Sequence, residues 1–181
     1  SFKYIAITAL MGISLNFTVE YFVSATSIND LSPYVEQLFN QIFQSNSFTV
    51  ILIGIGIIGP FIEEVIFRGL VLNELKQNMP VAPAIIIQAI LFGVYHGNLS
   101  QAIYATLLGV VLGLICIKMN SIWPPVIIHM FFNSTSVVLG KLVDPQVFVN
   151  YQYFILAASI VLLIATFIFT WRDEKTVTTA N

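Results

Sequence analysis

The sequence contains few charged residues. Only 9% of its 181 residues are Asp, Glu, Lys or Arg, whereas a soluble domain carries about 25%. Hydrophobic residues make up 57% of the chain, and the mean hydropathy is +0.90. This combination excludes an ordinary soluble domain. It predicts an all-α fold, a polytopic bundle of transmembrane helices.

Basic residues and cysteines are scarce as well. The formal net charge is −2 at pH 7, so we expect no nucleic acid partner. The single cysteine, Cys116, excludes an intrachain disulfide and a cysteine-based zinc cluster. Because Cys116 lies in an apolar run, we interpret it as a small packing residue.

Long apolar runs predict about six membrane spans within a single domain of residues 1–181. Each run approaches or exceeds the roughly 20 residues that cross a bilayer as a helix. One further segment has an apolar and a polar face at helical spacing, which predicts an amphipathic helix lying at the membrane surface. The predicted elements are spans at 4–25, 48–76, 82–96, 101–118, 124–140 and 151–171, the interfacial helix at 33–46, and a polar tail at 172–181.

The basic residues orient this arrangement. Five of them fall on one side of the predicted membrane, and Lys141 falls on the other. The five are Lys3, Lys76, Lys118, Arg172 and Lys175. Because basic residues accumulate on the cytoplasmic side of membrane proteins, we expect both ends of the chain to face the cytoplasm.

Three charges stand together inside the second predicted span. Each of Glu63, Glu64 and Arg68 would cost about 2.5–3.5 kcal/mol at the centre of a bilayer. Glu64 and Arg68 are four residues apart, so they share a helix face and are predicted to form a structural ion pair. Glu63 is rotated by about 100° and is free to face a cavity, as a chemical carboxylate. The alternative is a salt-bridged trio that only pins neighbouring helices.

Two histidines and an asparagine add polar groups to other spans. His96 ends the third predicted span, and His129 and Asn133 are four residues apart on the fifth. Since polar residues in the spans are so few, we expect them to converge with the glutamates on one intramembrane site. No His-Glu-x-x-His and no Gly-x-Ser-x-Gly sequence is present, which excludes the usual zincin motif and the serine-hydrolase elbow.

Three short motifs therefore stand in order on three predicted spans. They are Glu63-Glu64-x-x-x-Arg68, Phe92-x-x-x-His96 and His129-x-x-x-Asn133. This set resembles the signature of the CAAX protease and bacteriocin-processing (Abi) family of intramembrane proteases, over about residues 48–136. The resemblance implies hydrolysis of a peptide bond within the membrane. The implied partners are membrane lipid and a peptide or small membrane-protein substrate.

The resemblance also implies a role for each motif residue. By analogy with the CAAX-type members, Glu63 would activate a water as general base, helped by His96. His129 and Asn133 would stabilise the oxyanion of the tetrahedral intermediate. Glu64, paired with the arginine four residues further on, would hold the site together and could share the acid–base work.

Two alternatives stay open at this point. We favour a mechanism without a cofactor, but His96, His129 and Glu63 would also make a two-histidine, one-carboxylate zinc site with an open position. The other alternative is a different function: a membrane scaffold or bacteriocin-immunity protein that binds a partner or peptide without cleaving it, or a small transporter that uses the buried charges as a proton relay.

Overall fold

The structure, a computed structural model, describes residues 2–26 and 28–172, except for the side chains at 29, 35, 36 and 39. Every regular element in these ranges is a helix, which confirms the all-α class. We number them α1 (Phe2–Thr26), α2 (Pro33–Ser45), α3 (Phe48–Asn78), α4 (Val81–Tyr95), α5 (Leu99–Met119), α6 (Trp123–Leu142) and α7 (Pro145–Arg172). A short 3₁₀ turn at Ile28–Leu31 precedes α2.

Five of the described helices, α1, α3, α5, α6 and α7, are long and apolar enough to cross a membrane. The helix α4 is apolar but has only 15 residues, about 22 Å of rise against a hydrocarbon thickness of about 30 Å. The predicted interfacial segment is helical as α2. Most of the predicted polar tail, residues 173–181, lies outside the described residues.

The last helix begins earlier than the sequence predicted. The chain is already helical from Pro145, whereas the predicted span began at residue 151. The carboxylate of Asp144 accepts the backbone N–H of Gln146 at 2.9 Å, as a helix-capping residue does. Proline at the first helical position adds to this start, because its missing N–H would have no partner there anyway.

Helix α3 contains two π-helical segments, at Leu52–Ile58 and Val65–Val71. In the first segment the N–H of Gly59 donates to Gly54, five residues back, and so bypasses the carbonyl of Ile55. The next residue, Pro60, has no N–H to give. The carbonyl of Ile55 is thus left free for a group from another helix.

Close approaches of backbone hold α3 to α6 and α4 to α5. A Cβ added at Gly56 of α3 would lie 2.8 Å from Ser134 Oγ of α6. A Cβ at Gly109 of α5 would lie 3.0 Å from Ala89 of α4. Glycine permits both contacts because it has no side chain. These two contacts hold the helices close together, and the candidate site residues lie on these helices and at their ends.

Candidate active site

A fully buried ion pair forms the base of the site. Arg68 Nη1 lies 2.7 Å from Glu64 Oε1, and neither side chain is exposed. Arg68 Nη2 donates to the carbonyl of Gly109 on α5 at 3.2 Å. Gln88 of α4 donates to the same carbonyl at 2.8 Å. The pair therefore ties α3 to α4 and α5, in addition to satisfying two charges.

His129 of α6 lies between the two glutamates of α3. Its Nδ1 is 2.8 Å from Glu64 Oε1, and its Nε2 is 3.7 Å from Glu63 Oε2. Glu64 Oε1 already accepts a hydrogen bond from Arg68, so it is a carboxylate acceptor and His129 Nδ1 carries the hydrogen. This leaves Nε2, the nitrogen that faces Glu63, as the atom that can gain or lose a proton.

Glu63 and Glu64 are neighbours in sequence but differ in environment. The Glu63 side chain is 18% exposed, whereas that of Glu64 is 0% exposed. Glu63 Oε2 has no hydrogen-bond partner within the described part of the chain. Glu63 thus has one unpartnered carboxylate oxygen next to an imidazole, on a side chain that is partly exposed.

His96 is placed differently from His129. Its Nδ1 lies 2.8 Å from the carbonyl of Phe92, an acceptor, so Nδ1 is the donor and Nε2 of the neutral ring is left with a lone pair. The two imidazoles contact the same Phe92 ring edge-on, with centroid distances of 4.9 Å for His96 and 5.7 Å for His129. Among the described residues, His96 makes no hydrogen bond to Glu63 or Glu64.

The amide of Asn133 meets the backbone of α3. Its Nδ2 donates to the carbonyl of Ile55 at 3.0 Å, and Ser134 Oγ donates to the carbonyl of Gly56 at 3.2 Å. Ile55 is the carbonyl that the π-helical segment and Pro60 leave free. One N–H of the Asn133 amide is therefore used between helices, and the other remains for a ligand.

Two features of this region were not predicted from the sequence. Gln88, buried on α4, supports the ion pair through the Gly109 carbonyl. Ser136 of α6 links Asn16 and Glu20 of α1, since it accepts from the first and donates to the second at 3.1 Å. The only available signal was that each is a polar residue in an apolar span.

The proposed zinc set does not assemble in this arrangement. No group of three His, Cys, Asp or Glu side chains in residues 2–26 and 28–172 is placed to hold a metal ion. Glu63 and His129 lie close together, but His96 is not placed to complete a group of three ligands with them. The residues present thus do not fit the three-ligand pattern of a catalytic zinc.

Comparison with known proteins gives a family match over the same part of the chain. Residues 45–135, which contain all six candidate site residues, match the family model described as Type II CAAX prenyl endopeptidase Rce1-like. The chain is 30% identical over 155 residues to "Membrane-embedded CAAX protease MroQ" of Staphylococcus aureus (strain USA300), covering 80% of this chain and 61% of that protein. No solved structure matches it.

A second curated relative is also bacterial. "Putative membrane peptidase YdiL" of Bacillus subtilis (strain 168) is 28% identical over 83 residues, which covers 46% of this chain and 34% of that protein. The matched part of the chain thus spans between about a third and three fifths of the length of these two relatives.

Proposed function

Because the chain belongs to the Type II CAAX prenyl endopeptidase Rce1-like family, we propose that this integral membrane protein is an intramembrane endopeptidase. It hydrolyses a peptide bond of a membrane-associated peptide or protein by attack of a water that Glu63 activates. The observation that carries this proposal is the contact of His129 with both glutamates, 2.8 Å from Glu64 and 3.7 Å from Glu63.

The number of protons that this contact requires supports the proposal. Glu63 Oε2 and an unprotonated His129 Nε2 are both hydrogen-bond acceptors, and they lie 3.7 Å apart. Their lone pairs repel each other unless one of the two groups carries a proton. With that proton, the charge of Glu64 balances that of Arg68, and Glu63 and His129 together carry no net charge. The cluster as a whole is then neutral within the membrane. A neutral cluster avoids most of the cost of burying charge in lipid.

The same geometry gives each group a step in hydrolysis. Glu63 takes the proton of the attacking water, which leaves hydroxide to bond to the carbonyl carbon. His129, protonated at Nε2 and held by Glu64 at Nδ1, donates to the oxyanion as it forms. The proton that Glu63 received passes to the departing amine when the C–N bond breaks, which restores the starting state.

Asn133 and His96 have supporting roles in this mechanism. The second N–H of Asn133, the one not used by Ile55, is the further donor for the oxyanion. His96 has a free lone pair at Nε2 and is the group that helps Glu63 with the water, as the family resemblance implies.

We propose a CAAX-type substrate, or a bacteriocin or peptide signal, in a bacterial plasma membrane.

One end of the bundle is basic: Lys3 lies 4.3 Å from the ring centre of Phe169, and Lys118 lies 5.3 Å from that of Trp171. Lys141 lies at the opposite end, against α2. Basic residues favour the cytoplasmic side for the first end.

Cleavage of apolar peptides by the purified protein in detergent tests the proposal, with products mapped by mass spectrometry. Glu63→Gln keeps the shape of the side chain and removes the base, so we expect a rate at least about 100-fold lower. Glu74→Gln, a matched change at an exposed position of α3, should stay within about twofold of wild type. A Glu63→Gln variant that cleaves at the wild-type rate would refute the assignment.

Two further results would redirect the proposal. Activity lost to a zinc chelator and restored by zinc would overturn the metal-free mechanism. Tight peptide binding with no cleavage by the wild-type protein would instead favour the scaffold or immunity function.

A further inference from the structure

A polar cavity lies beside Arg68, at the basic end of the bundle. Its volume is about 200 Å³, and it lies between α3, the end of α5 and the turn that joins α5 to α6. Five of its nine lining residues are polar: Arg68, Asn73, Lys76, Asn120 and Ser121. None of the nine is acidic. The cavity thus presents donors and positive charge without a carboxylate.

Arg68 forms part of the cavity wall with an unused donor. The residue is only 1% exposed, and its Nε has no hydrogen-bond partner in the described part of the chain. Its Nη1 and Nη2 are bound to Glu64 and to the Gly109 carbonyl. A buried N–H that lacks a partner costs free energy, and a ligand acceptor that reached Nε would remove that cost.

Lys76 supplies the net charge. Glu64 balances the charge of Arg68, so the positive charge of the cavity comes from Lys76, which is exposed near the end of α3. Eight residues separate the two cations along the helix, which corresponds to about 12 Å of rise. The cavity therefore runs from the helix ends toward the interior, with a cation at each end of its α3 wall.

The turn contributes two more polar groups. Asn120 has a φ of 45°, a left-handed conformation that ends α5. Ser121 Oγ accepts the backbone N–H of Trp123 at 3.3 Å, so its hydroxyl hydrogen remains available as a donor. Amide, hydroxyl, ammonium and guanidinium donors around one small volume match the oxygens of a phosphate group.

We propose that this cavity binds a phosphate group, either that of an anionic phospholipid headgroup or free inorganic phosphate. A basic cavity between helix ends on the cytoplasmic side is a setting in which anionic headgroups bind. The ligand stabilises the side of Arg68 that Glu64 does not contact. The binding shares Arg68 with the candidate active site but does not use Glu63 or His129, so it can be measured independently of hydrolysis.

Lipid retention measured by native mass spectrometry tests this proposal. The protein in detergent is titrated with phosphatidylglycerol or phosphatidylcholine, and in a parallel arm with inorganic phosphate as a competitor. We expect one retained phosphatidylglycerol if the source is a headgroup, or thermal stabilisation by phosphate alone if it is the free anion. Lys76→Gln should weaken whichever is bound by about fivefold.

Two further variants keep the test specific. Lys118→Gln removes the same charge at the same end of the bundle but outside the cavity, and should leave binding unchanged. Asn120→Gly removes the amide while keeping a residue that tolerates the left-handed backbone, and should weaken binding about twofold or more. Equal losses in Lys76→Gln and Lys118→Gln would show diffuse surface attraction and overturn the proposal. So would equal retention of the two lipids with no effect of phosphate.

Discussion

Helices α3 and α6 meet in two places that differ in chemistry. The first, which we call the ionic contact, joins charged side chains: Glu63, Glu64 and Arg68 of α3 with His129 of α6. The second, the carbonyl contact, joins side-chain donors of α6 to backbone acceptors of α3: Asn133 with Ile55 and Ser134 with Gly56. Only one turn of α6 separates His129 from Asn133.

The two contacts differ in whether they contain groups that can exchange a proton during a reaction. The ionic contact contains the groups to which we assign the proton chemistry, and there the His129 Nε2 and the Glu63 carboxylate face each other at 3.7 Å. In the carbonyl contact no group titrates in the ordinary pH range, so its bonds fix the position of α6. We infer that the carbonyl contact positions the helix whose histidine takes part in the ionic contact.

Breaking the ionic contact should have the largest effect. Arg68→Ala leaves Glu64 fully buried and deprived of its cation, and the removal of one partner of a buried pair costs about 3–5 kcal/mol. We expect the free energy of unfolding in detergent to fall by that amount and peptide cleavage to be lost. Lys118→Ala, which removes a cation at a helix end, should change stability by less than about 1 kcal/mol. Similar stabilities for the two variants would show that the pair is dispensable.

Crowding the carbonyl contact should have a smaller effect. In Gly56→Ala the new Cβ would lie 2.8 Å from Ser134 Oγ, so α3 and α6 must move apart. Overpacking of this kind costs about 1–3 kcal/mol. Gly54→Ala is the matched control, since a Cβ there meets nothing within 4 Å, and it should cause no loss. Thermal unfolding in detergent compares the two, and equal melting temperatures would mean that the helices are not closely packed at Gly56.

The ionic contact was only half predictable from the sequence. The Glu64–Arg68 pair follows from four-residue spacing on one helix, a local rule. The contact of His129 with Glu64 joins residues 65 positions apart, and no local rule specifies which nitrogen of a histidine meets which carboxylate. The sequence predicted that His129 lies at the site, and the family resemblance gave it the oxyanion, with zinc binding as the alternative; the contacts with both glutamates come from the structure.

The carbonyl contact was not predicted, although its cause is visible in the sequence. Pro60 shows that a backbone donor is missing in α3, but the sequence does not show which carbonyl loses its partner. That depends on the π-helical bond from Gly59 to Gly54, one residue out of the usual register. Asn133 was predicted to bind an oxyanion, and the structure gives its amide a backbone partner in addition.

A double-mutant cycle with Pro60→Ala would test whether proline creates the carbonyl contact. Asn133→Ala should cost about 0.6–1.7 kcal/mol, the range of hydrogen bonds between membrane helices. In Pro60→Ala the restored N–H, continuing the five-residue bond of Gly59, can donate to Ile55 itself. Asn133→Ala should then cost less than half as much in that background, as measured by unfolding in detergent. An unchanged cost would mean that Asn133 does not replace a missing helix donor.

Cleavage rates of single variants would separate the two roles of Asn133. Ser134→Ala removes the neighbouring bond, to Gly56, and is the matched control for a loss of docking alone. If Asn133 only docks α6, the two variants should lose activity to a similar, small extent. If its second N–H also binds the oxyanion, Asn133→Ala should lose a further factor of about 10²–10³. Pro60→Ala would not restore that factor, because a backbone N–H given to Ile55 can replace the docking bond but cannot reach the substrate.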